Sequence, residues 1–265
     1  VINEKDNQSK KINDNFTIKM ILISLNIIYL VFCYIQIKSL FMRNTTLNYA
    51  DSARQGFFQL MIVSIINLVT ILIAKKRENK DENKTNRFIN YMSLIMIAFT
   101  FIIVISASIR MYFYESAYGY TLLRLLVYCA LFTESILFIP TVIYILDKKI
   151  NLPKTYFAIV LVIYVCMNLA NFDNIIAKRN VNRYIETGKI DLYYLKNETG
   201  TDAINQIFKI LETSTDVDNV KAETSKYLKE TFNDINEENM DFRDFNISRI
   251  FAKKLIGKEL QLNDN

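Results

Sequence analysis

Eight polar residues sit beside the ends of long apolar runs: Asp51, Arg54, Arg110, Glu115, Arg124, Asn171, Asp173 and Arg183. A ninth, Glu134, lies inside such a run. Arginine guanidinium groups are planar, charge-assisted donors suited to phosphate or carboxylate. Arg54, Arg110 and Arg124 could therefore line a pocket for an anionic lipid head group. The same residues could instead form ion pairs that lock loops onto helix ends, with Asp51 facing Arg110 and Glu115 facing Arg124 or Arg54. If Asp51, Glu115 and Asp173 converged, they could act as acid, base or ligands for Mg²⁺ or Mn²⁺. No spacing in the sequence demands that third arrangement. Glu134 has two readings: moving protons or cations, or staying neutral and hydrogen-bonded to Thr133, Ser135 or a neighbouring helix.

Two omissions narrow the chemistry. The 265 residues contain no His. Imidazole acid–base catalysis, Ser-His and Cys-His nucleophiles and His-ligated metals are thereby removed. Cys33, Cys129 and Cys166 each sit within an apolar run, and their odd number and wide spacing suit neither a disulfide framework nor a zinc site. They read as buried lipophilic thiols, and no cofactor is implied.

The elements that must position these groups are helices. With 5 Gly and 2 Pro, the chain has too few turn formers for a sandwich or barrel. A membrane helix needs about 20 mostly apolar residues. Five segments qualify: 20–37, 57–74, 88–109, 122–146 and a shorter one at 155–169. The fourth contains Arg124, Glu134 and Pro140, and a kink is expected at the proline. Asn26, Asn67 and Asn168 place one amide in each of three spans, suited to interhelical hydrogen bonds. The expected fold class is all-α: a five-helix transmembrane bundle followed by a small extramembrane α-helical domain. Its parts are a cytoplasmic tail at 1–19, a membrane domain at 20–172 and a soluble domain at 173–265.

Lys and Arg in the flanking segments set the direction of threading. The N-terminal tail and the second and fourth loops hold 13 of them, against 5 on the other side. The N-terminus is therefore expected in the cytoplasm and the C-terminal domain outside. The eight polar residues would then gather near the outer interface. Tyr112, Tyr114, Tyr118 and Tyr120 fit an interfacial aromatic belt there. The basic second loop, interleaved with Glu78, Asp81 and Glu82, reads as a topology determinant rather than a nucleic-acid patch.

Composition changes sharply near Asp173. Residues 1–172 carry 18 Lys plus Arg and 10 Asp plus Glu; residues 173–265 carry 14 and 17. The net charge falls from +8 to −3, which marks a domain boundary. In the tail, Asp173 is expected to cap a helix ending near Gly188. Thr201 is expected to cap one with Ile204, Ile207, Phe208 and Leu211 on a single face. Further helices are expected over 216–232 and 244–256, the last stopping at Gly257.

Several stretches carry a family resemblance: Tyr49-Ala50-Asp51-Ser52-Ala53-Arg54-Gln55-Gly56-Phe57-Phe58, Arg110-Met111-Tyr112 through Glu115, Ala117-Tyr118-Gly119-Tyr120-Thr121 with Arg124, Asn168 to Asn171 with Ile176, Ala177 and Asn180, and Gly188 to Leu195. Together they resemble a bacterial multi-pass membrane protein family of unassigned function, over roughly residues 20 to 205. A weaker tail motif is Asp241-Phe242-Arg243-Asp244-Phe245-Asn246. The resemblance implies a cytoplasmic-membrane protein, often with further spans upstream, to which a chain beginning at Val1 would conform. It implies no activity.

The leading expectation is a non-catalytic structural, accessory or signal-receiving membrane component. The alternatives are a transporter or lipid-translocating protein with an outer-leaflet anionic head-group site, and a membrane enzyme acting on a lipid-linked substrate. Expected partners are membrane lipid and a membrane protein reached through the C-terminal helices, with no nucleic acid.

Overall fold

The computed structural model describes residues 2–41, 48–76, 83–147, 149–212, 220–237 and 247–259, and side chains within 16–38, 58–76, 86–147, 149–212, 220–236 and 248–258. Among the described residues there are ten α-helices and no strand. They are α1 (Ile2–Phe41), α2 (Asn48–Lys76), α3 (Asn83–Tyr118), α4 (Leu122–Asp147), α5 (Leu152–Leu169), α6 (Phe172–Thr187), α7 (Leu192–Asn197), α8 (Ile204–Glu212), α9 (Val220–Glu237) and α10 (Ile247–Glu259). A 3₁₀ turn at Thr201–Ala203 leads into α8.

Five of these helices are long and apolar enough to cross a membrane: Phe16–Lys38, Phe58–Lys76, Asn86–Tyr118, Leu122–Asp147 and Leu152–Leu169. At 1.5 Å per residue the third covers roughly 50 Å, more than the ~30 Å hydrocarbon core. Large apolar side chains such as Ile28, Ile62, Ile105, Phe132 and Val162 are left exposed on these helices. A hydrocarbon environment accepts that surface and water would not. The protein is an all-α, multi-pass membrane protein.

The chain divides into two units. The first holds residues 1–114 and 127–167. Its helices bury one residue every three or four positions, the seam spacing of packed helices. On α1 the buried stripe is Ile18, Leu22, Asn26, Tyr29 and Cys33; on α2 it is Leu60, Ser64, Asn67, Ile71 and Ala74. On α4 it is Val127, Leu131, Glu134, Phe138, Thr141 and Ile145. Small or polar members of each stripe let backbones approach where lipid offers no hydrophobic drive. Among the described residues of α5, only Leu152 is buried. Helix α4 runs on through Pro140.

The second unit holds residues 115–126 and 168–265. Its core joins Ala177, Val181 and Tyr184 of α6 with Ile204, Ile207 and Ile210 of α8, Leu228, Phe232 and Ile235 of α9, and Ala252 and Ile256 of α10.

Several element ends differ from expectation. Asn171, not Asp173, caps α6, its side chain accepting from the Asn174 N–H at 3.0 Å. The Asp173 carboxylate, free of that duty, accepts from the Gly200 N–H at 3.0 Å. Gly188 closes α6 in the left-handed region at φ +70°. Gly200, not Thr201, stands at the cap of the 3₁₀ turn. Helix α10 continues past Gly257 to Glu259, since Gly257 does not take the left-handed conformation by which a glycine ends a helix. The expected starts at Asp216 and Asp244 fall outside the described residues.

Candidate functional site

The nine predicted residues fall into separate settings. The side chains of Asp51 and Arg54 lie outside the described residues, as does the 241–246 motif. Arg110 and Glu134 belong to the first unit; Glu115, Arg124, Asn171, Asp173 and Arg183 belong to the second.

In the first unit, Arg110 is buried and donates to Gln36 Oε1 at 2.8 Å. Glu134 Oε2 lies 2.8 Å from the Ser64 hydroxyl of α2. Thr133 and Ser135, the expected partners, instead donate to carbonyls of their own helix, at Cys129 and Leu131. Helical hydroxyls commonly bond back in this way. Ser64 has one proton and two acceptors in reach, Glu134 and the Met61 carbonyl at 2.9 Å. Both contacts are satisfied together when Glu134 is a neutral acid. Glu134→Gln should then stay within about 1 kcal/mol of wild type, while Glu134→Ala should lose about 2 kcal/mol through its cavity and the orphaned Ser64 contact. Thermal unfolding of both variants in detergent checks this. Equal, large losses would mean an ionised, paired carboxylate.

Two of the three expected amides, Asn26 and Asn67, bridge helices. Asn26 donates to the Met92 carbonyl of α3 at 3.2 Å, and Asn67 to Thr100 of α3 at 2.9 Å.

In the second unit, residues 115–126 are held by α6 and α7. Helix α3 ends at Gly119, whose φ of +88° favours glycine. Its N–H donates to the Glu115 carbonyl at 2.7 Å. A Cβ at Gly119 would stand 2.9 Å from Asn180 Oδ1, so this approach also needs the missing side chain. The buried amide of Asn180 addresses both backbone groups of Tyr120: Oδ1 accepts from its N–H at 2.9 Å, and Nδ2 donates to its carbonyl at 2.8 Å. Tyr194 Oη accepts from the Leu122 N–H at 2.8 Å. Asp191 orients Tyr194 by capping α7, accepting from the Tyr194 N–H.

Arg183 completes this latch. Its guanidinium donates to the carbonyls of Ser116 at 3.1 Å, Ala117 at 2.7 Å and Lys189 at 3.2 Å. Burial lowers its pKa from the ordinary arginine value, the charge of Arg124 adds to that, and Tyr120 and Asp191 oppose it. Arginine nonetheless keeps its proton in proteins. Arg124 donates to the Gly119 carbonyl. The Arg179 guanidinium lies 5.3 Å from the Tyr120 ring centre, within cation–π range.

The structure thus brings Arg124 and Arg183 to one backbone segment, and Asn171 and Asp173 to the start of α6. Asn180, Gly119 and Tyr194 are central to the latch, and only their presence in the quoted stretches pointed to them. Among the described residues, no three Cys, Asp or Glu gather as a metal site.

The model of one family, "Domain of unknown function (DUF4153)", matches residues 1–210. No curated protein and no solved structure matches the chain. The match covers all five apolar helices and the whole latch, and the chain belongs to the DUF4153 family.

Proposed function

We propose that this is a non-catalytic component of a bacterial cytoplasmic membrane, serving a structural, accessory or signal-receiving role. Its N-terminus lies in the cytoplasm and its C-terminal helices lie outside, in line with the 13-to-5 division of Lys and Arg. The carrying observation is the use made of Arg183. Three of its donors are committed to the chain's own carbonyls, a use that supports loop-locking over recognition of an anionic head group.

The test is Arg183→Ala, purified in mild detergent alongside wild type, with melting temperature and co-purifying lipids measured together. The proposal expects melting lowered by several degrees and an unchanged lipid set. Unchanged melting with loss of an anionic lipid would favour the head-group reading.

A further inference from the structure

Between the start of α6, the Thr201–Ala203 turn, α8 and α10 lies a cavity of about 270 Å³. This is just below the roughly 300–1,000 Å³ of ordinary ligand pockets, so it suits a small molecule. Its polar wall includes Asn174, Thr201, Asp202 and Asn205. Asn174 Oδ1 is buried and has no hydrogen-bond partner among the described residues. Among the described residues, the side chains of Thr201, Asp202 and Asn205 likewise show no hydrogen bond or ion pair. A buried acceptor without a donor is destabilising, and an outside molecule can relieve it. The lining also has apolar members, Ile204, Ala252, Leu255 and Phe251, the last of them 58% exposed.

These groups select among ligand classes. The starts of α6 and α10 offer backbone N–H groups that would suit an anion. The wall, however, contains the Asp202 carboxylate and no Lys or Arg. An ammonium could pair with Asp202 but brings only donors, leaving the amide N–H groups of Asn205 without acceptors. A hydroxyl both donates and accepts, as do the amides and the Thr201 hydroxyl. We propose that this cavity binds a neutral, polyhydroxylated ring the size of one sugar unit. Its hydroxyls donate to Asp202 and Asn174 Oδ1 and accept from Asn205, while its C–H face covers Phe251. The site goes beyond the role proposed above and stands whichever way the chain is threaded.

The test uses the full chain in a zwitterionic detergent without a sugar head group. Ligand-observed NMR titration with methyl glucoside, methyl galactoside and N-acetylglucosamine is compared with ethanolamine and inorganic phosphate. At least one sugar should bind in the millimolar range, with both controls at least tenfold weaker. Asp202→Ala and Phe251→Ala should each weaken that sugar at least tenfold while melting as wild type. If Asp202→Ala fails to fold, Asn205→Ala at an exposed position replaces it with the same expectation. The proposal is overturned if no sugar binds the folded protein. Tighter binding of phosphate or ethanolamine overturns it too, as does sugar affinity that survives the substitutions.

Discussion

Replacing Asn180 with leucine is expected to free the segment between α3 and α4 from α6. Leucine matches asparagine in shape but offers no polar atoms. The substitution removes both hydrogen bonds to the Tyr120 backbone and one to the Ile176 carbonyl. Asn180 is buried, while Tyr120 is partly open to water, so the loss should be about 2–3 kcal/mol rather than the sum of three fully buried bonds. Amide exchange across residues 116–126 should accelerate roughly 30- to 150-fold by local opening. Asn180→Asp keeps the acceptor for the Tyr120 N–H and loses the donor, so it should fall between. Unchanged exchange in the leucine variant would show that the amide pairing does not hold the segment.

Gly119→Ala should damage the same latch from the other side. At φ +88° an alanine carries backbone strain of about 1–2 kcal/mol. Its Cβ would also meet Asn180 Oδ1 at 2.9 Å, so the amide must move and its bonds to Tyr120 weaken. A total loss of about 2–4 kcal/mol follows, read as a fall in melting temperature and faster exchange in α6. The two sites touch, so their effects should not add. In Gly119→Ala combined with Asn180→Ala the clash is gone, and the double variant should be more stable than the summed single losses. Strict additivity would contradict the contact.

Much of the fold was legible in the sequence because lipid imposes a simple demand. Each span must be long, apolar and internally hydrogen-bonded, so hydropathy alone located all five. The interhelical use of Asn26 and Asn67 was also legible, since an amide in hydrocarbon has few alternatives. The end of α6 at Gly188 followed from a known preference for glycine in the left-handed region.

The latch was not legible in the same way. Arg183 reaches the Ser116 and Ala117 carbonyls across more than sixty residues, and carbonyls leave no mark in side-chain patterns. Charge complementarity suggested carboxylates as arginine partners, whereas Arg183 donates to three backbone carbonyls and Arg124 donates to that of Gly119. At the start of α6, Asp173 was the expected cap, and Asn171 two residues earlier takes that place. Position decided between them, because the capping side chain must precede the first turn and Asp173 lies within it. The cavity beside α10 was invisible for a related reason. Thr201 read as an ordinary helix cap, and no sequence pattern tells that Phe251 of α10 lines the same cavity.

The threading itself can be measured with one cysteine. Cys33, Cys129 and Cys166 would be replaced by serine or alanine and a single cysteine placed at Asn182, an exposed position on α6. The account predicts that a membrane-impermeant maleimide modifies this residue in intact spheroplasts. Labelling seen only in inside-out vesicles would contradict it and put the C-terminal helices in the cytoplasm.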